Sequence, residues 1–208
     1  KIQLINSREV VFDPKKVFAT RNILVGNFSV KSNSSVIGVF VNHWPAQSAP
    51  NSSRMTAASY LRKAIEKEQR KYGDDYHVVA TGDFNVTTHD MPNALSHDIT
   101  NPLKRNFFYD TYDLIRRNRT SLQSSMPSGS YFFGGRFSWD RYDRFIISKN
   151  LIDDYGMEFI KSSFLVVAPE FLTNSWTVND SRNHHDGSTI HGLPFRYNFK
   201  ESTASKVG

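Results

Sequence analysis

"VIGVFVNHWPAQSAPNSSRMTAASYLRKAIEKEQRKYGDDYHVVATGDFN", residues 36–85, decides the fold. Val36, Ile37, Val39, Phe40 and Val41 form a near-continuous apolar run, which predicts a strand buried on both faces. "PAQSAPNSS" reads as a loop, and Ser52 or Ser53 can cap a helix running to about Tyr72, closed by Gly73. Met55, Ala58, Leu61, Ile65 and Gln69 lie on one stripe of that helix, with Lys63, Glu66, Lys67 and Arg70 outside it. The helix leads directly into "HVVATGDFN", a second strand that ends in polar residues. Strand, helix and strand with short connections read as a crossover unit, so the class is α/β with mixed sheets.

Working outward, "ILVGNFSV" (23–30) and the turn "KSNSS" make a hairpin with the strand at 36–44. Downstream, "MPNALSH" and "DTYDLIRRN" predict short helices, "SGSYFFGGRFSW" a hairpin, and "YDRFIIS" (142–148) a third core strand. "SSFLVVAPEFL" reads as a strand followed by an irregular stretch, and Asn174 to Gly208 as polar and irregular. No domain boundary or repeat is evident, so residues 1–208 read as a single domain.

The composition allows a sizeable core, with 38% hydrophobic residues and 16 phenylalanines. A net charge of +6 favours polyanionic partners such as nucleic acid, phospholipid headgroups or phosphorylated small molecules, although many soluble domains carry as much. The absence of cysteine excludes disulfides and thiolate metal sites. No apolar run approaches the roughly 20 residues of a membrane-spanning helix.

Three strand ends carry groups capable of chemistry: Asn42-His43, Asp83-x-Asn85, and Asp140 with Asp143. Asp83 can hold a hard cation or orient a water. Asn85 can donate to a phosphoryl oxygen or position a water, and Gly82 lets the backbone turn sharply. Residues two apart in a strand share a face, so Asp83 and Asn85 can point together while Phe84 packs the other way. The same residues also suit a turn held by Asx hydrogen bonds. His43 is either a packed neutral side chain or a stabiliser of phosphoryl charge. Asp143 either pairs with Arg141 or Arg144, or orients His43 or joins a metal shell. Near the far end, His184, His185, Asp186 and His191 have the chemistry of zinc ligands, at a spacing that matches no established short motif.

In this order, "VNHWPAQS", "ATGDFN" and "YDRFIIS" resemble the endonuclease/exonuclease/phosphatase (DNase I-like) superfamily, and most of all its bacterial nuclease and phosphodiesterase members. The resemblance covers roughly Ile23 to Phe199. It implies a four-layer sandwich of two mostly antiparallel sheets flanked by helices. It implies metal-dependent hydrolysis of phosphoesters with Mg²⁺ or Mn²⁺, Ca²⁺ being a further candidate. By motif, the resemblance makes His43, Asp83, Asn85 and Asp143 catalytic, and Asp83 and Asn85 also metal-binding. Asn42, Trp44, Arg54 and Tyr131 take the substrate-binding positions. The implied substrate is a phosphodiester, with DNA or RNA first. Arg116, Arg117, Tyr131 and Arg136 suit a polyanion groove, or equally a solvated surface with core aromatics. A lipid or inositol-phosphate phosphodiesterase or phosphatase is the alternative enzyme, and a non-catalytic polyanion-binding module the alternative of another class. Secretion, or a periplasmic location, is slightly favoured by the resemblance.

Two family features have no counterpart here. Members carry an early Asn and a metal-binding Glu on strands that precede a segment like "KIQLINSREVVF"; Glu9 lies in the region after that ligand and is not assigned to metal. Members also end in Ser-Asp-His, and this chain has no Asp-His dipeptide. The expectation is that both flanks lie outside these 208 residues, and that residues 1–208 alone have little hydrolase activity.

Overall fold

In the computed structural model, the described residues are 1–208 except 17–20, 105–106, 117–119, 135, 180–186, 195, 199–202 and 206–208. They form two compact units, Lys1–Asn118 with Arg141–Ser163, and Arg119–Asp140 with Phe164–Gly208.

The first unit is built on strands β1 (Ile2–Val10), β2 (Ile23–Val30), β3 (Val36–His43) and β4 (His77–Asp83), with helix α1 (Asn51–Tyr72) between β3 and β4. Strand β5 (Tyr109–Asp110) and helix α2 (Thr111–Ile115) follow. The second unit contributes α3 (Ser121–Ser125), β6 (Tyr131–Phe133) and β7 (Ser138–Asp140), after which β8 (Asp143–Ile147) returns to the first. Six strands make one sheet in the order β1-β2-β3-β4-β8-β5. Only β3 and β4 are parallel, as the α1 crossover between them requires; every other neighbouring pair is antiparallel. The class is α/β with a mixed sheet, as the crossover unit predicts.

Helix α1 covers one face of this sheet. Ala57, Ala58, Leu61, Ala64 and Ile65 are buried with Ile23, Val25, Phe40, Val78, Ala80 and Ile146. Each large side chain there contributes about 1.5–3 kcal/mol by burial, and the alanines let the helix axis approach the strands. The buried stripe also takes in Arg54 and Glu68, which the apolar spacing does not identify. The Glu68 carboxylate has partners for both oxygens: Arg8 reaches its Oε1 through Nε (2.9 Å) and Nη2 (2.7 Å), and Asn27 Nδ2 donates to its Oε2 (3.1 Å).

Several expectations need correction. Neither Ser52 nor Ser53 caps α1: Pro50 precedes the helix without a side-chain cap, and the Ser53 N–H already donates to the Pro50 carbonyl. Gly73 does close the helix, at φ +90°. β3 is buried on one face only. Phe40 and Asn42 are closed in, while Val41 is 43% exposed beside Leu24 at 49% and Phe145 at 49% on the same face, because α1 covers only the other side. The helix expected at "MPNALSH" starts later, as a π-helical turn at Leu95–Ile99, because Asn93 Oδ1 accepts from the N–H groups of Leu95 and Ser96.

In the second unit β6 and β7 form the expected hairpin. Residues 164–168 are not a strand: the Phe164 carbonyl accepts from Gln123 Nε2, and a 3₁₀ turn follows at Glu170–Leu172. The end of the chain, expected to be irregular, contains β9 (Thr173–Thr177) paired with β10 (Thr189–Pro194), and β11 (Arg196–Asn198) paired with β12 (Thr203–Ser205). Threonine, tryptophan and isoleucine supply the β propensity that the polar count hides.

Candidate active site at the ends of three adjacent strands

His43 ends β3, Asp83 ends β4 and Asp143 begins β8. Their register places them side by side: His43 opposite Asp83 across the parallel pair, and Asp83 opposite Asp143 across the antiparallel one. Neighbouring strands are about 4.8 Å apart, so three residues of adjacent strands in one row stand on one face. His43 Nε2 lies 3.9 Å from Asp83 Oδ2, with the two side chains 45% and 31% exposed.

Backbone geometry delivers Asp83 to this position. Gly82 has φ +118°, and a Cβ there would stand 2.0 Å from the Asn42 carbonyl oxygen, so only glycine fits. The Asp83 carbonyl accepts from the Trp44 N–H at 2.8 Å, and the Phe84 N–H donates to the Tyr142 carbonyl at 2.9 Å. Phe84 then packs edge-on to Trp44, with centroids 4.9 Å apart. Strand alternation does not bring Asn85 to Asp83, because β4 has ended and Asn85 sits at φ +49°. An Asx turn joins them instead: the Asn85 N–H donates to Asp83 Oδ1 at 2.8 Å, and the Asn85 side chain also reaches that carboxylate. The turn expected of "GDFN" is present, and it sets the Asn85 N–H against the Asp83 carboxylate. Asn85 Nδ2 donates to the Trp44 carbonyl at 3.0 Å, which fixes the amide plane.

Burial pushes the Asp83 carboxyl above the ordinary aspartate value. The Asn85 N–H opposes this, the Asp143 charge adds to it, and His43 draws it back. Asp143 is exposed; Arg141 reaches Asp113 at 3.3 Å, and Arg144 pairs with buried Asp110.

Three residues expected to touch substrate are instead closed in. Asn42, 3% exposed, donates to the carbonyls of Phe40 (2.8 Å) and Thr81 (3.3 Å) and accepts from the Trp44 indole (3.0 Å). Trp44, 1% exposed, spends its N–H on that bond. Arg54, 3% exposed, donates to the carbonyls of Ala46 and Ala49. Asn42 is one residue from His43 and so faces the α1 side of the sheet. Tyr131 belongs to the second unit, on β6, 38% exposed; Phe133 shares its face, and the Arg136 guanidinium lies 4.5 Å from the Phe133 ring centre. Arg136 also pairs with Asp140 at 3.1 Å. Arg117, His184, His185 and Asp186 lie outside the described residues, while His191 Nδ1 meets Ser175 Oγ at 2.8 Å across β9 and β10.

Residue patterns did not point to Arg21. Its Nη1 lies 3.4 Å from His43 Nδ1. A guanidinium can only donate, so in this contact Nδ1 accepts and the ring proton sits on Nε2, the nitrogen nearer Asp83. Arg21 is an isolated basic residue outside any motif, so nothing in its spacing singles it out.

Among the described residues, no three His, Cys, Asp or Glu side chains converge on a metal position, and no helix is long and apolar enough to cross a membrane.

Comparison with curated proteins gives no match. Among solved structures, the human Nocturnin catalytic domain, determined with bound sulfate anion, matches with a TM-score of 0.52 at 16% identity, over 71% of this chain and 48% of that one. Truncated Caenorhabditis elegans TDP2 matches with a TM-score of 0.50 at 11% identity, over 71% and 53%. The chain thus spans about half the length of these structures, and at such identities the likeness concerns the fold, which is DNase I-like. A family model matches residues 1–193, and on that match the chain belongs to the Endonuclease/Exonuclease/phosphatase family.

Proposed function

We propose that this protein is a metal-dependent phosphoester hydrolase, acting first on the phosphodiester bonds of nucleic acid. The observation that carries the reading is the row His43–Asp83–Asp143, half open to solvent, with Asn85 bonded to its central carboxylate. In this reading Asp83 orients and activates the attacking water. His43, with its proton on Nε2, donates to phosphoryl oxygen as charge develops there. Asn85, its amide plane fixed by Trp44, helps hold the phosphate and water. Arg21 adds a cation that offsets the two carboxylates when an anionic substrate approaches.

The donor set fits a hard divalent cation. Asp83 and Asp143 are neighbouring oxygen donors, and burial of Asp83 with the Asp143 charge beside it favours a bound cation. The Asn85 amide oxygen is a third donor of the same hardness. Two carboxylates with water and phosphate completing the shell suit Mg²⁺ or Mn²⁺, and Ca²⁺ takes the same ligands. When bound, such an ion polarises the phosphoryl oxygen. Asn42, Trp44 and Arg54 support the site from within and do not contact substrate.

The net charge of +6 and the exposed aromatic pair Tyr131 and Phe133 favour nucleic acid over lipid or inositol phosphates. The test is a substrate panel at fixed low salt, comprising single-stranded and duplex DNA, RNA, sphingomyelin and inositol phosphates, with Mg²⁺ and with EDTA. Hydrolysis of DNA or RNA that EDTA abolishes is expected of the full-length protein, with little from residues 1–208 assayed alone. Hydrolysis confined to the lipid or inositol phosphates supports the alternative enzyme. Polyanion binding without turnover of any substrate supports the binding module.

A further inference from the structure

Asn85 adopts a left-handed backbone, at φ +49°, that persists only where the surroundings impose it. Three contacts do so. Its N–H goes to Asp83 Oδ1 and its Nδ2 to the Trp44 carbonyl, and its own carbonyl accepts from Gln47 Nε2. The same Gln47 Nε2 lies 3.3 Å from Asp90 Oδ2. Asp90, whose side chain is 10% exposed, also accepts from the Thr87 N–H (3.2 Å) and Thr87 Oγ1 (3.2 Å), and faces Arg54 Nε at 3.5 Å. Arg54 in turn donates to the carbonyls of Ala46 (3.0 Å) and Ala49 (3.3 Å), on either side of Gln47. One carboxylate therefore joins the loop after β3, the start of α1 and the turn after β4.

We propose that Asp90 is a positioning residue for the candidate site, holding Asn85 through Gln47 and Thr87, and with it the orientation of the Asp83 carboxylate. Its three hydrogen-bond donors use both oxygens and Arg54 Nε lies beside them, so an amide at this position would turn an N–H toward one of these groups. Gln47 is the link to the site: it is exposed, so its removal breaks the chain of contacts without uncovering the buried charge of Arg54. The kinetic part of the proposal rests on the hydrolase reading; the structural part does not.

The test compares Gln47→Ala and Asp90→Asn with the wild-type protein by amide hydrogen exchange and by hydrolysis of bis(p-nitrophenyl) phosphate. The Asn85 N–H is expected to exchange about tenfold faster in both variants while the β4 amides of Val79 and Ala80 keep their protection, and kcat to fall about tenfold at unchanged KM. Wild-type exchange at Asn85 in Gln47→Ala overturns the proposal. So does an unchanged kcat in an active enzyme. Faster exchange at Asn85 in a protein whose wild type hydrolyses nothing upholds the positioning role and places the failure in the hydrolase reading.

Discussion

Two rows of residues cross the same three strands one step apart. Asn42, Gly82 and Arg144 form one, and His43, Asp83 and Asp143 the other. In the first row every side chain is turned inward: Asn42 is tied to two carbonyls and an indole, Arg144 to Asp110 and the Val86 carbonyl, and Gly82 has no room for a side chain at all. In the second row an imidazole and two carboxylates stand partly in solvent, and one of the carboxyls is held above its ordinary pKa. A single step along a strand moves a polar group from a closed, mutually satisfied set to an open one. On the proposed function, the closed row is the scaffold and the open row carries the chemistry.

The sharpest way to break that comparison is to exchange the costs. Asp83→Ala in the open row is expected to lower kcat about 10³-fold, with little change in Tm. Steady-state kinetics and thermal unfolding on the same preparation check this; a large fall in Tm would move Asp83 into the scaffold. Arg144→Ala in the closed row is expected to do the reverse. It leaves Asp110 buried without its partner, which costs about 3–5 kcal/mol of stability in urea unfolding. Per folded molecule its kcat should stay near wild type. Asn42→Ala is a milder case. It strands the Trp44 indole N–H and takes a donor from the Phe40 and Thr81 carbonyls, for about 1–3 kcal/mol. A loss of substrate affinity in folded Asn42→Ala, measured as a raised KM, would restore the residue to the binding role its place in the motif suggests.

The crossover unit was legible because a near-continuous apolar run gives way to a 3.6-residue stripe and then to a second apolar run between Val36 and Asp83, and Gly82 because a glycine before a strand-end aspartate signals a sharp turn. What periodicity does not carry is side. Asn42 and His43 are equally polar and adjacent, and only the placement of α1 decides which is buried. Arg54 and Glu68 were hidden in the helix for a related reason: a charged residue on a buried stripe is explained only by its partner, and Asp90 and Arg8 lie 36 and 60 residues away in sequence. Arg21 reaches His43 from just before β2, with no spacing rule to connect them. The β9–β10 and β11–β12 pairs were missed because threonine was counted as polar rather than as a residue that a half-exposed ribbon accepts.

The smallest expected effect separates the rows most finely. Burial is the largest influence on the Asp83 carboxyl and raises its pKa in the folded protein above that of the unfolded chain. Between those two values the folded state binds more protons, so stability falls as pH rises through that window, and the loss persists at neutral pH. Asp83→Asn removes the charge while keeping the shape. With EDTA present, so that no cation offsets the repulsion, this variant should be more stable than wild type at pH 7. The difference should shrink as pH falls below the ordinary carboxyl range, where Asp83 is protonated in both states. Urea unfolding at the two pH values measures it. Lower stability of Asp83→Asn at pH 7 would mean that the bond from the Asn85 N–H outweighs burial, and that the carboxylate is a structural group like those of the closed row. Higher stability would mark Asp83 as a residue retained at a cost to the fold, which is what a catalytic carboxylate in a partly desolvated row requires.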